Sequence, residues 1–355
     1  MMTPMLPSPL LQALVGDEEV GALFSKEAEL SALLRIETAL AQVEAQVGLI
    51  SDEAAGRIAE ACSSFKADWA GLAAGLAQDG VIVPAFVKQL RTTVGEAHAK
   101  AVHFGATSQD IVDTALMLRL KSVVEIFGRR LDALLHALRA LKDRDGATPL
   151  MAHTRMQQAL PFTAADKIDT WSHPLERHRN ALNALAPRLL AVQLGGPVGT
   201  RAELKGHGDA VADAMAEILG LSSALSWHSQ RDRIGEFAAF LSLLSGTLGK
   251  IGQDVALMAQ NEVAEVRLAT GGGSSAMPHK SNPVPAEVLV TLARFNAGLL
   301  GTLHQALVHE NERSGAAWTL EWMVLPQMIV AAAAGLRNAQ ALVTGMSFSA
   351  SKAGS

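Results

Sequence analysis

Apolar residues recur at spacings of three and four along most of the chain, which predicts an all-α protein built from long helices. The first clear helix lies in "SKEAELSALLRIETALAQVEAQVG", where Ser25 is placed to cap the amino end. Between Thr107 and Asp145 there is no proline and Gly128 is the only glycine, so we expect one helix of roughly 60 Å. Further helices are predicted at about 163–192 (interrupted by Pro174 and Pro187), 231–266 and 283–310.

Strand patterns are scarce, and the best candidate is "GVIVPAFV", ending at Val87, which Pro84 interrupts. The distribution of the helices predicts three parts. These are an N-terminal helical domain (1–95), a central long-helix bundle (96–345) and a short polar tail (346–355).

The composition predicts, in addition, that the chain packs against partner chains. The apolar fraction is 49%, the charged fraction 18% and the mean hydropathy +0.21, so apolar surface exceeds what one soluble chain usually carries. The segments without charge, such as 237–249 and 322–336, are shorter than the roughly 18 residues that span a bilayer. We therefore expect a soluble homo-oligomer whose helices meet between chains, and no membrane partner.

Several classes of function are disfavoured. The net charge is −5 without a basic stripe, and aromatics make up 4%, so nucleic acid is not an expected partner. The single Cys62 allows no internal disulfide, and no Lys or Arg precedes Lys26 to form a secretory signal, so a cytoplasmic location is expected. The eleven histidines show no metal-ligand spacing, so no metal and no cofactor are expected.

Three polar clusters interrupt the apolar helices. In "VHFGATSQDIVDTA" (102–115), Thr107 and Ser108 stand where a helix begins. One interpretation is a helix cap, and the other is a carboxylate-binding site at the exposed backbone amides.

The second cluster, "MAHTRMQQALPFTAADK" (151–167), precedes a helix expected from about Pro161. It is either a solvated loop or a site where Arg155 pairs with a carboxylate or sulfonate. In the third, "GGGSSAMPHKSNP" (271–283), Ser274 is a candidate proton carrier and Lys280 a cation for an enolate-like charge. A glycine-rich linker is the alternative, but the serines, histidine and lysine make it a poor linker.

The segments "GATSQDIVDTA", "QQALPFT", "GGPVGT", "QRDRIGEF" and "GGSSAMPHKSNP" together resemble the fumarase/aspartase superfamily over nearly the whole chain. The sequences of these segments are most similar to those of the bacterial cycloisomerases that lactonise 3-carboxy-cis,cis-muconate, with adenylosuccinate lyase next. The resemblance implies a homotetramer around a shared helical core, with each active site built from three chains. It also implies a small polycarboxylate substrate.

By the same resemblance, Ser274 delivers the proton in the lactonising direction and Lys280 stabilises the intermediate. Asn282 holds the same carboxylate as Lys280, while Thr107 and Ser108 bind another. Arg155 is assigned to an anionic substituent at C3. Further candidate contacts, each equally consistent with a structural role, are Gln157, His103, Arg231, Gln230 and His279.

Two departures from the superfamily pattern affect the chemistry. Many members carry Arg-Thr-His in the second cluster, whereas this chain has His153-Thr154-Arg155, so no acid role passes to His153. Arginine suits a 3-carboxylate and a 3-sulfonate equally. Members also usually carry a further helical C-terminal domain, which is expected to be missing here. Elimination of the adenylosuccinate lyase type and a catalytically inert homologue remain alternatives.

Overall fold

The computed structural model describes residues 9–269, 271–273, 277 and 281–350, and most of them are helical. The helices are α1 (Pro9–Val15), α2 (Glu18–Ala22), α3 (Lys26–Gln46), α4 (Asp52–Ser63), α5 (Trp69–Asp79), α6 (Val83–Val94), α7 (Ser108–Asp145), α8 (Ala164–Leu189), α9 (Gly208–Leu219), α10 (Asp232–Met258), α11 (Val284–Gln305) and α12 (Gly315–Thr344). The strands are β1 (Pro149–Thr154), β2 (Gln157–Thr163), β3 (Val266–Leu268) and β4 (Met346–Phe348), paired as two small antiparallel sheets. The all-α prediction is confirmed.

Helix α7 is the long axis of the fold. It runs without a break over 38 residues, about 57 Å at 1.5 Å per residue, as its sequence predicts. Its buried face includes Leu120, Phe127 and Leu134, which pack into a core shared with α8, α10 and α12. The cap predicted for α3 is also present, since Ser25 Oγ accepts a hydrogen bond from the N–H of Ala28 at 3.1 Å.

A second core joins the N-terminal helices to the first turns of α7. It includes Leu33 and Ile36 of α3, Phe86 of α6, and Ile111 of α7, each at most 1% exposed. The amino end of α7 is therefore held by packing on two sides. This packing positions the polar groups of the first cluster.

The predicted strand at 80–87 is wrong, because α6 begins at Val83 and contains Pro84 in its first turn. Proline is tolerated there, since the first turn of a helix has no partner for the missing N–H. Helix α8 likewise continues through Pro174 and Pro187 instead of being interrupted at them.

Two predicted helices end early. Helix α10 stops at Met258, and Val266, expected to be its last residue, begins β3. Helix α11 stops at Gln305. The start of the predicted polar tail is strand β4, whose Phe348 stacks on Trp171 with ring centroids 6.1 Å apart.

The segments without charge, 237–249 and 322–336, lie within longer helices, α10 and α12. Among the described residues, α10, α11 and α12 are each long and apolar enough by composition to span a membrane. Inside this chain, 61%, 33% and 67% of their most apolar windows are buried. Helix α11 is therefore the least buried of the three within this chain.

Glu44 of α3 is buried without compensation. It is 0% exposed, and neither carboxylate oxygen has a hydrogen-bond partner in the part of the chain that the structure describes. Burial, with the charge of Glu37 adding to it, raises the pKa of Glu44 from 4.5 to about 9. The folded protein therefore holds a proton on Glu44 at neutral pH.

Replacing Glu44 by leucine is expected to stabilise the protein increasingly as the pH rises. Below pH 4.5 both states of the wild type are protonated, so ionisation costs nothing; between pH 4.5 and about 9 only the unfolded state releases the proton, which favours unfolding. At pH 7 this term is about 3 kcal/mol. Urea unfolding at pH 5 and pH 8 measures it, with Glu27→Gln on the exposed face of α3 as control. An advantage of Glu44→Leu that does not grow with pH contradicts the assignment.

Candidate active site

The buried carboxylate of Asp110 organises the amino end of α7. Its Oδ2 accepts hydrogen bonds from the backbone N–H groups of Thr107 and Gly196, both at 2.9 Å, and its Oδ1 accepts from the N–H of Gly195 at 2.7 Å. Asp110 is 1% exposed, so these charge-assisted bonds replace its lost hydration. They fasten "GGPVGT" (195–200) to the start of α7.

Gln193 and His228 complete the contacts of Asp110. Gln193 Nε2 donates to Asp110 Oδ1 at 3.1 Å, and its Oε1 accepts from the N–H of Trp227 at 2.6 Å. His228 Nε2 lies 2.7 Å from the same Asp110 oxygen, with the imidazole 4% exposed. Three motifs that are far apart in sequence therefore meet at one buried carboxylate.

Arg231 binds at Asp113, one helical turn after Asp110 along α7, and its side chain is completely buried. Its guanidinium donates to Asp113 at 2.6 and 3.1 Å and to Glu321 at 2.6 and 3.0 Å, so the two carboxylates hold it from two sides. Burial opposes the charge, but the two carboxylates raise the pKa of Arg231. Of its two expected roles, this geometry favours structural support over contact with substrate.

His103 makes a short contact with a buried carboxylate near Thr107 and Ser108, the substrate-binding candidates of the first cluster. Its Nδ1 lies 2.6 Å from Oε1 of the buried Glu37. Burial opposes protonation, but the charge of Glu37 and this hydrogen bond raise the pKa of His103. Thr107 and Ser108 are partly exposed beside it. This end of α7 thus combines two partly exposed hydroxyls, helix-terminal amides and the imidazole of His103, which together suit a carboxylate.

The second cluster forms a hairpin and not a loop leading into a helix. Strand β2 continues past Pro161 to Thr163, and α8 begins only at Ala164. Arg155 and Met156 form its two-residue turn with φ of 49° and 66°. Left-handed backbone at both positions normally selects glycine or asparagine, so an arginine here is held at a conformational cost. Arg155 and Gln157 are both exposed at this tip.

The third cluster is closed at its base by two backbone hydrogen bonds. The N–H of Gly272 donates to Asn282 O and the N–H of Asn282 donates to Gly272 O, each at 2.9 Å. A Cβ on Gly272 would lie 2.6 Å from Val284 Cγ2, so glycine is needed for this close approach. Ser274, Lys280 and His279 lie outside the described residues.

The clusters lie at opposite ends of α7. The hairpin follows directly from its carboxyl end, where the N–H of Thr148 donates to Asp145 O at 2.9 Å. The third cluster lies at the same end, because Glu265, next to β3, accepts from the N–H of Met151 at 3.0 Å. Thr107 is at the other end, about 57 Å away along the helix. One chain therefore cannot place all three clusters on one small molecule.

Arg313 lies at the amino end of α7 and is a polar residue that the sequence motifs did not indicate. Its Nε donates to Gln109 Oε1 and its Nη2 to Pro197 O, both at 3.1 Å, while the side chain stays partly open to solvent. Asp110, Gln193 and His228 were missed in the same way. Asp110 lies within "GATSQDIVDTA", whereas Gln193 and His228 each lie two residues before a motif, "GGPVGT" and "QRDRIGEF" respectively.

Comparison with known proteins gives a family match over most of the chain. A family model described as Lyase matches residues 17–296. The 3-carboxy-cis,cis-muconate cycloisomerase of Pseudomonas aeruginosa is 40% identical over 338 residues, which is 93% of this chain and 74% of that protein. The enzyme of the same name from Acinetobacter baylyi is 38% identical over 352 residues, covering 97% and 78%.

Solved structures agree with the sequence comparison. The structure titled 3-carboxy-cis,cis-muconate lactonizing enzyme from Pseudomonas putida superimposes with a TM-score of 0.90 and 38% identity. The match covers 96% of this chain and 77% of that one.

Proposed function

Because this chain belongs to the lyase family within the fumarase/aspartase superfamily, we propose that it is a cycloisomerase converting 3-carboxy-cis,cis-muconate into a carboxymuconolactone. Two relatives with that name share 40% and 38% of their residues with this chain over more than nine-tenths of its length, and this observation carries the proposal. The reaction belongs to the protocatechuate branch of aromatic degradation.

The chemistry is an intramolecular addition that needs no cofactor. One substrate carboxylate, ionised at neutral pH, forms a C–O bond to the conjugated double bond. The displaced π electrons move onto a second carboxylate as an aci-carboxylate. A proton from Ser274 then adds to the α-carbon and restores that carboxylate, and solvent returns a proton to the serine. Counted as free acids, product and substrate have the same composition, and the ionised substrate takes up one proton from solvent overall.

Different residues bind the different anionic groups of the substrate. Lys280 and Asn282 hold the carboxylate that becomes the aci form, where a cation lowers the barrier most. Thr107 and Ser108, next to the imidazole of His103, hold a second carboxylate. Arg155 at the hairpin tip, beside Gln157, binds the substituent at C3. Arg231 supports the Thr107 and Ser108 site through Asp113, which lies in the next turns of α7.

The protein that performs this reaction is a cytoplasmic homotetramer with shared active sites. The separation of the clusters along α7 supports this proposal, because chains packed in opposite directions bring the two ends together. Apolar side chains left uncovered on the bundle supply the contact surface, including Leu243 at 66% and Met323 at 62% exposure. One site then takes its α7 end from one chain and its loop from another.

The experiment that tests the function is direct. Purified protein is mixed with 3-carboxy-cis,cis-muconate, and loss of the diene absorbance is followed with Ser274→Ala as control. Rapid loss that the mutation abolishes is expected. If absorbance persists, 3-sulfomuconate and adenylosuccinate are tested next, the latter by fumarate release, and inactivity on all three favours the inert homologue.

Arg155→Ala is expected to raise KM for the 3-carboxy substrate by roughly ten- to a hundredfold, because a charge-assisted pair is lost. Its kcat changes less, since Arg155 touches a group that does not react. Steady-state kinetics with unsubstituted cis,cis-muconate provides the contrast, as that substrate has no partner for the arginine. His153→Ala on the same hairpin is the matched variant. An unchanged KM in Arg155→Ala refutes the assignment.

A further inference from the structure

A cavity of about 390 Å³ lies between the N-terminal helices and the first third of α7, beyond Thr107 and Ser108. Its wall is mostly apolar, formed by Phe24, Leu116, Trp322 and Leu325 together with the turn before α6. This volume falls within the range of pockets that hold small ligands in proteins. We call it the Arg119 cavity, after the one cation among the described residues that lines it.

Arg119 enters this cavity without an ionic partner. Its Nε donates to Ala115 O at 3.2 Å, and its guanidinium carbon lies 5.6 Å from the ring centroid of Phe24. No carboxylate of the described residues lies within ion-pair distance of it. Glu29 also lines the cavity, and attracts Arg119 only at longer range.

The surroundings of Arg119 disfavour the positive charge of its guanidinium. Burial lowers the pKa of Arg119, and Glu29 only partly opposes that shift. The cavity's other acid, Glu321, is already bound by Arg231. An unpaired guanidinium in an apolar cavity is stabilised most by an anion that also carries an apolar group.

We propose that the Arg119 cavity binds a small monocarboxylate with an apolar, ring-sized body. The carboxylate pairs with the guanidinium of Arg119, and the body packs against Phe24 and Trp322. Glu29 lines the same space and repels further negative charge, so a polycarboxylate is a poor occupant.

This site is separate from the proposed active site. Arg119 is eleven residues along α7 from Ser108, roughly 16 Å at the helical rise, and it is still farther from the hairpin end. The proposal therefore does not depend on the reaction assigned above. It also persists if the active-site assignment fails.

Benzoate is a suitable probe, and Trp322 in the cavity wall supplies a fluorescence signal. Isothermal titration and tryptophan fluorescence of the intact protein are expected to show saturable benzoate binding. Arg119→Met should weaken it at least about tenfold, because the charged pair is lost. Benzyl alcohol, which has the same ring without the charge, should bind weakly to both proteins.

Three further variants separate the possible outcomes. Arg129→Met removes an exposed arginine of the same helix and should leave benzoate binding unchanged. Leu116→Phe fills the cavity without touching the charge and should block binding even if Arg119→Met folds poorly. Ser108→Asp disables the proposed active site and should bind benzoate normally. Equal affinity in wild type and Arg119→Met, no binding to either, or loss of binding in Ser108→Asp overturns the proposal.

Discussion

A mixture of two inactive variants, Ser108→Asp and Ser274→Ala, is expected to regain about a quarter of wild-type turnover when the chains are unfolded together and refolded. Ser108→Asp places a negative charge where a substrate carboxylate should bind. It remains compatible with the fold, because acidic residues are favourable in the first turn of a helix. Ser274→Ala removes the proposed proton carrier. Alone, each variant should show almost no lactonisation.

Recovery is expected because the two positions belong to different ends of the fold. Ser108 begins α7, whereas the loop that contains Ser274 starts from Gly272, beside the hairpin at the other end. In a mixed oligomer, some sites combine an intact α7 end from one chain with an intact loop from another. Random assembly of equal amounts makes about one site in four intact.

Ser274→Ala mixed with Lys280→Ala provides the matched control. Both changes fall on the same loop, so no mixed oligomer contains an intact loop and activity should stay absent. Different affinity tags on the two chains establish that mixed oligomers have formed. If mixed oligomers of the first pair form and remain inactive, each site lies within one chain and the shared-site proposal fails.

The long helices could be predicted because their sequence signal is local. Apolar spacing and the absence of proline define α7 almost to the residue, and Ser25 marks the start of α3. The failures were also local in origin. The strand predicted at 80–87, with Pro84 as its interruption, is wrong because the first turn of a helix accepts proline. Strand β2 escaped notice because its side chains are mostly exposed and show no alternation.

The candidate site could be predicted only in its separate parts. Motifs indicated Thr107, Ser108 and Arg155, but nothing local revealed that Asp110 would accept hydrogen bonds from Gln193 and from backbone more than eighty residues away. Buried polar networks depend on which helices become neighbours, and that is a property of the tertiary fold. The distance between clusters likewise required the position of both ends of α7.

Arg231→Met is expected to destabilise the folded protein by about 3–5 kcal/mol. The change removes the cation that bridges Asp113 and Glu321, whose side chains are 0% and 2% exposed. Burial, with the charge of Asp113 adding to it, already raises the pKa of Glu321 against the influence of Arg231. Without the arginine, both carboxyls must become neutral or draw in water. Thermal and urea unfolding measure the loss.

The triple variant Arg231→Met, Asp113→Asn, Glu321→Gln distinguishes charge from packing. If uncompensated charge is the cause, removing both carboxylates should recover much of the stability lost in Arg231→Met. The cation stacked at 4.8 Å on Trp227 is absent from both variants, so that contact cannot account for a difference between them. A triple variant no more stable than Arg231→Met would assign the loss to packing and hydrogen bonding. The two carboxylates would then impose little cost, and the amino end of α7 would depend on the shape of the arginine more than on its charge.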